Sequence, residues 1–159
     1  MDSKSINQIV DQVVDKIKYP DALTLDVALG IADKVKTKAA QLGVNAVIAI
    51  SDKGGHPILV QSMDDAFIAS YDIAVGKAYT VVSLKMSTSD LKPLAQPGGS
   101  LYGIQFTNGG KIVIFGGGEP LLNKKGEIIG GLGVSGGTEK QDTELAAFGK
   151  KIFEKGKYL

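Results

Sequence analysis

The sequence predicts an α+β domain in which a central antiparallel sheet of about five strands is flanked by helices. Apolar residues recur at helical spacing in several separate segments, and between them lie short β-rich runs joined by tight turns. Fourteen of the 21 glycines fall between Gly98 and Gly137, a density that demands tight turns or close backbone approach. A hairpin, a helix, closely linked strands and a last helix suit an antiparallel sheet better than repeated βαβ units. At 159 residues with 43% hydrophobic side chains, the chain has enough apolar surface for one core.

The elements follow in order. Ser3 to Lys18 places Ile6, Ile9, Val10, Val13, Val14 and Ile17 on one helical face, with Asp11, Asp15, Lys16 and Lys18 opposite. Tyr19-Pro20-Asp21 breaks this helix, because proline disfavours helical geometry in the residue before it. The chain thus divides into an amphipathic appendage, residues 1–20, and a domain, residues 21–159. The appendage either packs on the domain or a neighbouring subunit, or serves as a docking tag. Thr24 caps a helix running through Leu25, Ala28, Ile31, Ala32, Val35, Ala39 and Leu42 to a stop at Gly43. Ala46–Ser51 and Ile58–Ser62 form a hairpin around Asp52-Lys53-Gly54-Gly55-His56-Pro57. Helical spacing returns from Asp64 to Ser87, and Ser89 to Ala95 adds a short turn or helix before Gln96-Pro97-Gly98-Gly99. Tyr102–Phe106, Lys111–Phe115 and Gly126–Gly130 read as strands, joined by Thr107-Asn108-Gly109-Gly110 and by residues 116–125. Thr138 caps a last helix that buries Leu145, Ala146, Phe148, Gly149 and Ile152.

Composition excludes several functions. A formal charge of +1 creates no field that would draw in nucleic acid or an anionic membrane. The absence of cysteine removes disulfides, thiolate metal sites and a cysteine nucleophile, and fits a reducing compartment. No apolar run reaches the roughly 18 residues of a membrane span, and no signal-peptide pattern opens the chain, so a cytoplasmic protein is expected.

Two glycine motifs carry apparent chemistry. Gly131-Leu132-Gly133-Val134-Ser135-Gly136 spells GxGxxG, but a dinucleotide fold needs a second parallel strand with an acidic residue about 20 residues on, and the chain ends too soon. Glycines permitting close backbone approach are the simpler reading. Gly133-Val134-Ser135-Gly136-Gly137 spells GxSxG, but no histidine follows Ser135, so a serine triad in that order is impossible. Ser135 reads instead as a turn residue or helix-terminus donor. No P-loop lysine follows any glycine cluster.

His56, the sole histidine, sits at or near the hairpin tip, either as a solvated turn residue or as an imidazole that ligates a metal such as iron or cobalt, a haem iron included, or exchanges a proton near neutrality. Asp64 and Asp65 read as favouring the N-terminus of the following helix, with a catalytic carboxylate as the alternative. Lys77 is a solvated lysine or, if its helix face borders a pocket, an anion clamp. No group is nominated as a catalytic base, so no catalytic residue is assigned.

The ordered set Ile50-Ser51-Asp52-Lys53-Gly54-Gly55-His56, Met63-Asp64-Asp65-Ala66, Gly76-Lys77-Ala78, Gly116-Gly117-Gly118-Glu119-Pro120-Leu121 and Gly130–Gly137 with Asp142 resembles the GlcG/HbpS haem-binding-protein-like family, from about Leu23 to Lys150. Within it, Gln96-Pro97-Gly98-Gly99-Ser100-Leu101-Tyr102-Gly103 is similar to the branch found as the C-terminal domain of PduO-type cobalamin adenosyltransferases. The resemblance implies a profilin-like fold, assembly into homo-oligomers and association with haem or cobalamin. Its adenosyltransferase chemistry belongs to a separate N-terminal domain that this chain lacks. Some haem-binding relatives use a histidine in the first domain helix, where this chain has Val27-Ala28-Leu29-Gly30; a haem ligand would then have to be His56. The family context also makes residues 3–18 similar to tags that dock on bacterial microcompartment shell proteins.

The combined expectation is an oligomeric accessory protein of cobalamin-linked diol (propanediol) metabolism, cytoplasmic or in a microcompartment lumen. Its tetrapyrrole site would be framed by His56, Lys77, Tyr102, the Gly116–Pro120 cluster and Gly133, Ser135 and Gly136, with His56 on the metal. The alternatives are an enzyme acting on a small aldehyde or hydroxy acid, and a purely structural assembly module.

Overall fold

A computed structural model describes residues 3–18 and 22–158. The first helix, α1 (Ser3–Lys18), has the predicted bounds, and its stripe residues Ile6, Ile9, Val10 and Val13 are each about half exposed. The break expected at Tyr19-Pro20-Asp21, and the side chains of Val14 and Ile17, lie outside what is described.

Helix α2 (Leu25–Gln41) begins where the Thr24 hydroxyl accepts the Val27 N–H at 3.3 Å, and is followed by Gly43 at φ 68°. Strands β1 (Val47–Asp52) and β2 (Pro57–Ser62) form the predicted hairpin, and α3 (Ile68–Ser83) and α4 (Thr88–Leu94) follow. After a coiled excursion come β3 (Gly118–Leu122), β4 (Ile128–Ser135) and α5 (Glu139–Glu154). The sheet order is β2-β1-β4-β3, with every neighbouring pair antiparallel.

Alternation along the strands builds two layers on this sheet. Ile48, Ile50, Leu132 and Val134 face the larger core with Ile31 and Val35 of α2 and Leu145 of α5. Val47 and Ala49 face the other way, against Ala74 and Ala78 of α3. On β4 the residues turned toward α3 are Gly131 and Gly133, and a methyl on either would overlap the carbonyl of Ala78 or Ala74. The GxGxxG glycines therefore let a helix lie directly on the sheet backbone, as the close-approach reading expected, and no parallel strand pair is present among the described residues.

Among the described residues four strands form, not the five or so expected. Tyr102–Phe106 is no strand: Gly98, Gly103, Gly109 and Gly110 all take positive φ, so the chain coils through successive turns. Backbone donors there are satisfied locally, with Ile104 N–H to Leu101 O at 3.0 Å and Phe106 N–H to Gly103 O at 3.0 Å, and nothing remains for a ladder. Lys111–Phe115 is no strand either, because Val113 N–H is taken by the Thr80 hydroxyl at 2.9 Å. Gly118–Leu122, expected as a connection, is an edge strand, the position in a sheet that tolerates Pro120.

Helix α3 starts at Ile68 rather than Asp64. Asp65 takes φ 61° in a turn closed by Ala66 N–H to Met63 O at 3.2 Å, so Asp64 and Asp65 do not cap the helix as expected. Helix α5 matches its prediction, with Thr138 and Gln141 forming a reciprocal capping box.

Candidate functional site

The residues singled out in the sequence separate into two places along α3. The first is an internal polar knot. Lys77 is fully buried; its Nζ donates to Val134 O at 2.7 Å and to Asp142 Oδ2 at 3.1 Å, and lies 4.9 Å from the centre of the Phe115 ring. Burial pushes the lysine below its usual pKa, and the Asp142 carboxylate opposes that shift. Lys77 is thus neither a solvated lysine nor an anion clamp, because its ammonium is occupied by protein groups. Gly117, at φ 111°, is glycine because a Cβ there would come within 2.6 Å of that ammonium.

The rest of this glycine cluster is engaged as well. Gly116 N–H donates to Glu139 Oε1 at 3.0 Å, and Gly118 N–H to the Thr88 hydroxyl at 2.8 Å. Glu119 pairs with Lys150 at 3.1 Å, and Pro120 is buried in β3 opposite Gly131. Ser135 donates to the Ser70 hydroxyl at 3.1 Å, and with Gly136 it borders an open recess of about 270 Å³ that Phe67 and Phe115 also line. The bond to Glu139 that Lys92 supplies comes first, and the Gly116 N–H second, in holding the Glu139 carboxyl below its usual range.

The second place is an open groove at the other end of α3. The β1–β2 turn is shaped by Asp52, whose Oδ1 accepts Gly54 N–H at 2.8 Å and His56 N–H at 3.0 Å. These bonds, the one from His56 foremost, keep the Asp52 carboxyl below its usual pKa. The same oxygen lies 3.5 Å from His56 Nδ1, while the imidazole is 83% exposed and no other described residue engages it. Gly55, at φ 80°, lets the turn rest on Tyr79, since a Cβ there would meet the ring at 2.8 Å.

Opposite the turn, residues 108–113 form the facing wall. Asn108 Nδ2 donates to the Tyr79 hydroxyl at 3.1 Å, and Lys111 Nζ sits 5.4 Å from the Tyr79 ring centre. Between the walls is a groove of about 490 Å³, with Val75, Tyr79 and Val113 as apolar surface and His56, Asp72 and Lys111 as charged or titratable groups. That volume lies within the roughly 300–1,000 Å³ of small-molecule sites. Tyr102, 65% exposed, borders neither place.

Of the residues expected to share one site, the structure brings Lys77, Gly116–Gly118, Ser135 and Gly136 together as packing, and sets His56 apart. Tyr79, Lys111, Val75 and Val113 were missed. The only local signal was the Asn108-Gly109-Gly110 turn, read there as a strand connection. At Val27–Gly30, Val27 and Ala28 are buried and Gly30 underlies the Tyr158 carbonyl, so that stretch of α2 presents no ligand group. Among the described residues no three His, Asp or Glu side chains gather as a metal site, and no helix is long and apolar enough to cross a membrane.

A four-stranded antiparallel sheet between α2/α5 and α3, with a groove beside the only histidine at its hairpin end, makes this a small α+β domain. The chain belongs to the family described as haem degrading protein HbpS-like, which matches residues 23–150. It is 48% identical over 133 residues, 84% of this chain and 93% of the other, to a 15.0 kDa protein in the dhaT-dhaS intergenic region of Citrobacter freundii. It is 42% identical over 109 residues to the corrinoid adenosyltransferase PduO of Salmonella typhimurium, a match covering 69% of this chain but 32% of PduO. A solved PduOC:heme complex superposes with a TM-score of 0.78 at 37% identity, covering 82% of this chain and 94% of that one.

Proposed function

We propose that this chain is an accessory protein that binds a tetrapyrrole, haem or cobalamin, in the groove beside the β1–β2 turn, with His56 as the axial ligand to the metal. The observation that carries this reading is the imidazole itself: it lines an apolar groove, its Nδ1 faces the Asp52 carboxylate at 3.5 Å, and its Nε2 has no protein partner among the described residues. A carboxylate beside one ring nitrogen favours the orientation that leaves the other nitrogen as a ligand. Val75, Val113 and the Tyr79 ring supply apolar surface for the flat macrocycle. The residues present therefore fit the group.

A bound haem would supply its iron's redox and ligand-binding chemistry. The protein's part is to aim the imidazole and to cover one face of the ring with apolar side chains. Support for the ligand class comes from the PduOC:heme complex, and support for a setting in propanediol metabolism from the PduO relatives. The reading makes the protein a homo-oligomer and its α1 helix a docking tag for a microcompartment shell, because Ile6, Ile9, Val10 and Val13 present an apolar stripe that is about half exposed.

The test is a titration of the full chain and of His56→Ala with haem, followed at the Soret band, and with cobalamin, followed in the visible. The wild type should give a saturable spectral shift that His56→Ala weakens or moves. No shift with either tetrapyrrole on the wild-type protein would end the reading.

A further inference from the structure

The groove carries a polarity that the macrocycle reading does not use. Lys111 is exposed, lies over the Tyr79 ring at 5.4 Å, and has no carboxylate partner among the described residues. The other lysines at the core and its rim are taken: Lys77 by Asp142, Lys150 by Glu119, Lys92 by Glu139. The groove's one carboxylate, Asp72, is seven residues before Tyr79 on α3, hence about 10 Å away along the helix at 1.5 Å per residue. An ammonium over an aromatic face in water is a weak contact that an incoming anion readily replaces. One end of the groove is therefore cationic and aromatic, and the carboxylate lies two helical turns away.

We propose that Lys111 is the anion-binding residue of this groove: it takes a peripheral carboxylate of the bound macrocycle above the Tyr79 ring, so that the site selects a tetrapyrrole with ionised acid side chains over one whose side chains are amides. The inference rests on the groove and His56 reading given above. It selects haem, whose propionates are anions at the ring edge at neutral pH, over cobalamin, whose ring-edge acids are amides and whose one anion is a phosphodiester in the nucleotide tail, away from the ring. The flanking Gly109 and Gly110, at φ 65° and 78°, bring the backbone around so that Lys111 reaches back over the ring. Asp72 sets the orientation of the ring, since a propionate at its end of the groove would be repelled and the acid edge is left to face Lys111.

The experiment compares haem, iron protoporphyrin dimethyl ester and cobalamin on the full chain, on Lys111→Gln and on Lys111→Arg. Haem should bind about tenfold more weakly to Lys111→Gln, the factor expected for one charge-assisted hydrogen bond, and nearly normally to Lys111→Arg. The dimethyl ester should bind wild type and Lys111→Gln alike, and added salt should weaken haem but not the ester. Equal haem affinity in wild type and Lys111→Gln, with the Soret shift intact, overturns the carboxylate subsite and leaves the His56 reading standing. Cobalamin binding as tight as haem overturns the selectivity. No spectral shift on wild type with haem, the ester or cobalamin overturns the groove reading and this inference together, whereas a shift with cobalamin alone overturns only this inference. Lys111 is exposed, so loss of fold is not the expected consequence of either variant, and circular dichroism checks it.

Discussion

The Nζ of Lys77 lies 2.7 Å from the carbonyl oxygen of Val134, a bond that ties α3 to the last turn of β4 through the interior of the protein. The same ammonium reaches Asp142 on α5 at 3.1 Å, and Asp142 in turn accepts Gly137 N–H at 2.9 Å. One buried cation thus joins the sheet, both of its covering layers and the start of the last helix. The residues that looked most like a ligand site from their spacing are those that hold this knot closed.

Removing one partner of a buried pair leaves the other charge stranded. Asp142→Asn should lower the unfolding free energy by about 3 kcal/mol, while the double change Lys77→Met with Asp142→Asn should lose less than Asp142→Asn alone. Urea denaturation of the four proteins measures this cycle; an Asp142→Asn midpoint equal to wild type would contradict it. Because burial holds Lys77 below the 10.5 of a free lysine, the unfolded chain keeps a proton that the folded chain has released between the folded value and 10.5. The Lys77 contribution to stability therefore rises with pH across that window, and Lys77→Met should lack the rise.

A methyl at residue 133 would collide with the Ala74 carbonyl, which belongs to helix backbone and has no side chain to move aside. Gly133→Ala should therefore cost about 2 kcal/mol by overpacking. For a chain of this length that corresponds to a fall of roughly 4–8 °C in Tm. Gly126→Ala, at a turn with no neighbour within 4 Å but φ 77°, separates backbone strain from packing and should cost less. Thermal melts that rank the two in the reverse order would count against the close helix–sheet contact.

Acid should loosen the α4–α5 contact first. The Glu139 carboxyl is held below the 4.5 of a free glutamate, chiefly by Lys92 and then by Gly116 N–H. A depressed carboxyl contributes stability above the unfolded value and loses it as pH falls through the folded value, so the Glu139 contribution is present above about pH 4.5 and fades below it. Stability profiles of wild type and Glu139→Gln should converge in acid and separate above that point. Parallel curves throughout would show that Glu139 is not linked to folding.

Deleting residues 1–20 should leave the melting temperature of the remaining domain within about 2 °C, because the described stripe residues of α1 are half exposed and so contribute little burial. In a host that makes diol-degrading compartments, the shortened protein should lose co-localisation with the shell. A large fall in Tm would assign α1 to packing instead.

The elements that could be read from the sequence are those whose causes are local. Thr24 and Gly43 bracket α2, Thr138 with Gln141 opens α5, and the Asp52–Pro57 turn joins β1 to β2; each signal lies within a few residues of its effect. The false strands at 102–106 and 111–115 had strand-like composition but flanking glycines at positive φ. The missed strand β3 carries a proline, which only its edge position in the assembled sheet makes acceptable.

By itself the sequence determined the α+β class, the helix boundaries set by caps, the hairpin that presents His56, and the family. Tertiary structure alone decided that Lys77 is interior, that the Gly116–Gly118 and Gly131–Gly133 runs serve close packing, and that Lys111 and Tyr79 face the histidine turn across a groove. The division follows from range: caps and turns are fixed by neighbours in the chain, whereas burial of a charge or the meeting of Gly55 with Tyr79 depends on segments that come together only when the layers close.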